Sequence, residues 1–127
     1  MKYLFIQIVF LVLIVSCGPP DDCDKIPTCF PSYPEAIKII KSHHFETYDS
    51  LPDAGGSFIA YAEYYGCSNG LGYLFFKRYN GHELIVTKVP IDAWKKLKQS
   101  KNRDSFYFEN IHDKFGGICV EVVLEKI

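Results

Sequence analysis

The chain has 127 residues, with 14 Lys and Arg against 15 Asp and Glu and a formal net charge of −1. A balance this close to neutral excludes a whole-protein field of the kind that draws nucleic acid or an anionic surface. Nine Tyr and ten Phe suit strands and a well-filled small core, and the length admits a single domain.

Lys2 supplies a positive charge, and Tyr3 to Val15 is apolar apart from Gln7. Ser16-Cys17 follows, and Gly18-Pro19-Pro20-Asp21-Asp22 breaks the pattern. A charged start, a short apolar stretch and a small residue at the cut make a secretory leader. A spanning helix would need about 20 apolar residues. Ile14-Val15-Ser16-Cys17 resembles the lipobox of bacterial lipoproteins. The resemblance implies export, a palmitate-type diacylglyceryl group on the Cys17 thiol, and cleavage after Ser16. The expected divisions are a signal peptide over 1–16, a lipidated tether over 17–31 and one α+β domain over 32–127. Two acyl chains give stable anchoring, so the membrane is an expected partner. Gly18 is unlike the Asp that retains lipoproteins in the inner membrane of enteric bacteria, which points to the outer membrane. Asp21-Asp22 resembles the acidic signals that send some lipoproteins to the cell surface.

With Cys17 lipidated, Cys23, Cys29, Cys67 and Cys119 remain. An even number in a small exported domain reads as two disulfides. Three connectivities are open, and the preferred one is Cys23–Cys29 with Cys67–Cys119. Structural zinc sites use Cys pairs two to four residues apart. Neither Cys23/Cys29 nor the solitary Cys67 and Cys119 fits that spacing, so His43, His44, His82 and His112 acquire no thiol partners. No metal and no small-molecule cofactor is expected.

Ser32-Tyr33-Pro34-Glu35 opens a helix, with Ser32 as N-cap and Glu35 in capping-box position. Ala36, Ile37 and Ile40 share one face, and His43-His44 falls at its C-terminal end, where cations suit the dipole. Asp49 to Gly56 reads as a loop. Strands follow over Ser57–Tyr65, Tyr73–Tyr79 and His82–Val89, with a turn at Gly66–Gly70 and a two-residue hairpin at Asn80-Gly81. That hairpin sets Arg78 opposite Glu83, Phe76 opposite Ile85 and Phe75 opposite Val86. Both faces of the resulting meander are apolar and must be covered, one by the Ser32 helix and the other by the next helix or by a partner protein. Pro90 starts that next helix at N1, with Ile91, Trp94 and Leu97 as its buried stripe. Asn102 to Asp104 breaks it, Ser105 to Phe115 is largely helical, and Ile118 to Leu124 is a last strand. The fold class is α+β: a small antiparallel β-meander, two or three packed helices and an added C-terminal strand.

Ser57-x-Ile59-Ala60-x-Ala62, Leu74-Phe75-Phe76-Lys77, Val89-Pro90, Trp94, Leu97, Ser100 and Tyr107-x-x-Asn110-Ile111-x-x-Lys114-Phe115 resemble the KTSC domain. This is a small module found alone in bacteria and at the end of some lysyl-tRNA synthetases. The resemblance covers about 57–115 and implies a β-meander followed by a helix and a short second helix. RNA binding has been suggested for that family. Leu84-Ile85-Val86 stands where the family has Tyr-x-Tyr, which removes the rings a base would stack on. The segment after Ser100 is also about two residues longer than in the family. The basic cluster Lys95, Lys96, Lys98, Lys101 and Arg103 holds one of only two Arg in the chain, and Arg is the usual residue for bidentate phosphate contacts. No nucleic acid partner is expected.

No Gly-x-Ser-x-Gly, His-Glu-x-x-His or Walker loop is present. The expectation is a non-enzymatic binding or structural lipoprotein of the envelope, with an envelope protein as partner. The alternatives are an envelope hydrolase drawing on His82, Glu83, His112 or Asp113, and an RNA-binding module.

Overall fold

The computed structural model describes residues 21–121. The leader, Cys17 and the end of the expected last strand lie outside the described residues.

The chain runs through a short 3-10 turn at Cys23–Lys25, β1 (Cys29–Phe30), α1 (Tyr33–Lys41), β2 (Thr47–Leu51), β3 (Ile59–Gly66), β4 (Leu71–Arg78), β5 (Glu83–Pro90), α2 (Ile91–Gln99), α3 (Arg103–Asn110) and β6 (Cys119–Val120). β2 to β5 form a four-stranded antiparallel sheet in sequence order, and β1 pairs with β6 in parallel as a separate two-stranded ribbon. This is the expected α+β class, with a meander, then a helix, then a shorter helix. Among the described residues no helix is long and apolar enough to cross a membrane.

The extra strand is β2, expected as loop. Asp and Ser are poor strand formers, but β2 is an edge strand and uses them. Asp49 accepts from Trp94 Nε1 at 2.9 Å and from Lys98 Nζ at 2.9 Å, tying the edge to α2. Only Leu51 of this strand is buried.

The hairpin register differs from the expected one by one residue: Lys77 pairs with Glu83, Phe76 with Leu84, Phe75 with Ile85 and Leu74 with Val86. A two-residue type I′ turn needs positive φ at both central residues. Gly81 has φ +87°, whereas Asn80 is not left-handed. The loop is therefore Tyr79-Asn80-Gly81, closed by Gly81 N–H donating to Arg78 O and Arg78 N–H donating to His82 O, both at 2.9 Å. The β3–β4 turn repeats this design. Gly70 has φ +83°, and Cys67 N–H donates to Leu71 O at 2.8 Å. Asn69 and Asn80 each accept from the backbone N–H two residues on, at 3.0 and 3.1 Å.

Alternation along the strands divides the side chains between two faces. On one face Ala62, Tyr64, Leu74, Phe76 and Val89 pack with Trp94 and Leu97 of α2 and with Tyr107 and Ile111. On the other, Phe75 and Ile85 pack with Ala36 and Ile40 of α1 and with Ile26 and Phe30. Both faces are thus covered by the chain's own elements. Ile26 and Phe30 correct the tether expectation. Residues 21–31, read as a Pro- and Asp-rich spacer, are part of the fold, because these two apolar side chains fill the gap between α1 and the sheet.

The helix starts follow the expected capping chemistry with small displacements. Ser32 Oγ accepts from Glu35 N–H at 3.3 Å. Pro90 sits at the N-cap of α2 rather than N1. Asn102 caps α3 through Ser105 N–H at 3.1 Å, so the expected break is a cap. His43 and His44 follow α1 rather than ending it, and His43 Nδ1 lies 2.7 Å from Ile39 O, one of the carbonyls that a helix end leaves without a partner.

Candidate functional site

The cysteines are joined as Cys23–Cys67 and Cys29–Cys119, with Cα separations of 6.1 and 4.4 Å. Two disulfides are as expected, but the preferred pairing is overturned. The 3-10 turn directs Cys23 to the β3–β4 turn, and the parallel β1–β6 ribbon sets Cys29 in register with Cys119. Sequence reasoning had no access to either neighbour, since both pairings span long separations of 44 and 90 residues.

The two bridges flank a cleft of about 740 Å³ between the N-terminal segment, the β3–β4 turn, the end of β5 and residues 116–119. That volume lies in the range of small-molecule sites. Its wall is built from unusual backbone. Between the pairs Leu74–Val86 and Gly72–Val89, Thr87 and Lys88 stand opposite Tyr73 alone, a β-bulge. Lys88 adopts φ +59°, a left-handed conformation that costs a residue with a Cβ about 1–2 kcal/mol. The bulge frees Thr87 to pair with Gly116 through reciprocal N–H···O bonds of 2.9 Å. A Cβ on Gly116 would collide with Thr87 Oγ1, and one on Gly72 would collide with Tyr65 O and the Tyr64 ring. Glycine is required at 72, where the obstruction is backbone and a buried ring, whereas at 116 the obstruction is the rotatable Thr87 hydroxyl.

Charge in the cleft is sparse. Asp21 accepts from Ser68 N–H and from Cys23 N–H, the latter at 3.1 Å, and these backbone donors hold its carboxyl below the usual carboxylate range. Asp21, Cys23 and Cys67 offer atoms within 4.8 Å of one another, but both thiols are engaged in the disulfide. Asp24 and Lys88 are exposed on the lining and, among the described residues, neither forms an ion pair.

The other groups singled out from sequence lie elsewhere. His82 and Glu83 sit at the β4–β5 hairpin, with Glu83 3.8 Å from Lys77. His112 contacts its neighbour Asp113 at 3.2 Å beside the rings of Tyr107 and Phe108. None of these four lines the cleft. The basic cluster is partly used within the fold. Lys98 pairs with Asp49, and Arg103 donates to Ala54 O and Lys98 O at 2.9 Å. Trp94 is 1% exposed and serves as core.

A second polar cluster, missed from sequence, ties α1 to the sheet. Glu63, 8% exposed, accepts from Tyr65 at 2.7 Å, Tyr48 at 2.9 Å and Lys41 at 3.1 Å. Burial pushes its carboxyl up, but the donors Tyr65, Tyr61, Lys41 and Tyr48 outweigh it and hold the group below its ordinary value. The Tyr65 and Tyr61 hydroxyls are raised by burial and by that carboxylate. Lys41 also lies 5.0 Å over the Phe75 ring. The carboxylate is saturated by its own donors, which makes it a structural tie. The alternating row Tyr61, Glu63 and Tyr65 was the available signal, with Glu63 as its charged member facing α1.

Comparison of the chain with protein-family models, with curated proteins and with solved structures finds no match.

Proposed function

We propose that this protein is a non-enzymatic binding module of the bacterial cell envelope, exported and anchored to a membrane, outer rather than inner, through diacylglyceryl Cys17. The observation that carries the reading is the pairing of all four cysteines after Cys17 into two disulfides. Such bridges form and persist in oxidising compartments and are rare in the cytosol. The leader and the Ser16-Cys17 junction supply the route there. The cleft between the bridges is the binding site in this reading, because backbone strain such as that at Lys88 clusters at binding and active sites.

The test is the intact mass of the protein extracted from its native membrane without reduction. The reading expects a chain beginning at Cys17, heavier by a diacylglyceryl group and carrying no free thiol. An unprocessed chain with free thiols would overturn it.

A further inference from the structure

Resting on the reading of the cleft as a binding site, we infer that its ligand is a short zwitterionic peptide, held by its carboxylate on Lys88 and by its ammonium on Asp24. Among the described residues the lining holds three charged side chains, Asp21, Asp24 and Lys88. Asp21 is engaged by the backbone of Ser68 and Cys23. This leaves one anion and one cation of opposite sign in one cleft, more than 4 Å apart since they form no ion pair. Two separated opposite charges, unpaired among the described residues, complement a molecule that carries both. The cation is also the residue held in the left-handed conformation. The bulge that creates this strain places Lys88 on the cleft wall instead of continuing the ladder with β4. The lining also mixes hydroxyls, Thr28 and Thr87, with apolar Phe30 and Ile118. Amide groups and aliphatic side chains are served by that mixture, and the volume accommodates a few residues.

The experiment titrates the oxidised protein at low salt with the tripeptide Ala-Leu-Ala bearing free ends, with its N-acetyl form and with its C-terminal amide. Backbone amide shifts of Gly116, Gly117 and Ile118 report occupancy of the cleft. The free peptide is expected to bind, and blocking either end should weaken binding about tenfold. Lys88→Gly should weaken the free peptide by a similar factor, leave the amide unaffected and keep the melting temperature at or above that of the parent. Asp24→Asn should do the same toward the acetylated form. Equal affinity for free and blocked peptides, or an unchanged affinity in Lys88→Gly, overturns the inference. The amphipathic dye anilinonaphthalene sulfonate separates the two levels of the argument. If it shifts the cleft amides and no peptide does, the zwitterionic ligand class is wrong and the cleft is still a binding site. If neither probe shifts them, the cleft is not a binding site and both readings fall.

Discussion

The two faces of the sheet are stabilised in different ways. The face under α2 and α3 buries a large apolar set that includes Trp94, Tyr64, Phe76 and Ile111, with Tyr64 stacked on Trp94 at 5.6 Å. It carries no covalent link. Among the described residues the face under α1 fully buries a smaller set, Ile26, Phe30, Ala36, Ile40, Phe75 and Ile85, and both disulfides and the Glu63 tie lie on its side of the molecule. A small domain gains limited stability from apolar burial. Where short elements such as the two-residue strands β1 and β6 cannot bury enough, cross-links and charge-assisted hydrogen bonds do the holding. The cleft sits on this second, covalently held side, where backbone strain is tolerated because the surroundings fix it.

The largest effect is expected from Trp94→Ala. It removes the centre of the first face and the hydrogen bond to Asp49, and should destabilise by about 3–5 kcal/mol. The β3–β5 meander is shared between the faces, so denaturant unfolding should remain one transition with a lower midpoint. Loss of the first face alone would break the comparison.

Next come the bridges. Removing Cys23–Cys67 or Cys29–Cys119 as paired alanines should cost about 2–4 kcal/mol each, with the greater loss for the second, whose closed loop is longer. Hydrogen exchange should rise around β1, β6 and α1 before it rises in α2. Uniform opening would show that the second face is not the covalently held one.

Glu63→Gln should cost about 1–2 kcal/mol through weaker bonds to Tyr48, Tyr65 and Lys41. Its pH signature has a fixed sign. An unfolded Glu titrates near about 4.3, and the folded Glu63 titrates lower. The stabilisation is therefore present above the unfolded value and lost as pH falls through the folded one. The parent should lose stability more steeply than the variant when acidified below about pH 4.5. Asp49 and Asp104, also depressed, keep part of the slope in both.

The smallest effect is expected from Gly81→Ala, about 1 kcal/mol from the left-handed conformation. It should fall on both faces alike in denaturant unfolding, because the hairpin belongs to both.

Local chemistry was legible in the sequence. Ser32 and Pro90 marked helix starts, Asn80-Gly81 marked a hairpin, and the apolar runs on both sides of β4 and β5 required cover on two faces. Features decided by distant neighbours were not legible. The Asn-Gly signal gave the turn but not its length, so the register slipped by one. Edge strand β2 was concealed by Asp49 and Ser50, whose partners lie across the fold or in the backbone. The pairing of the cysteines depends on a ribbon joining positions 29 and 119. Ile26 and Phe30, four residues apart within a polar stretch, were the overlooked sign that the presumed tether packs. The strain at Lys88 has no sequence signature, since Lys is not a residue that favours positive φ.

The most direct test of the account is proteolytic mapping of the unreduced protein by mass spectrometry. The account predicts cross-linked fragments joining Cys23 to Cys67 and Cys29 to Cys119. Fragments joining Cys23 to Cys29, or four free thiols, would contradict the covalently held face and the cleft built upon it.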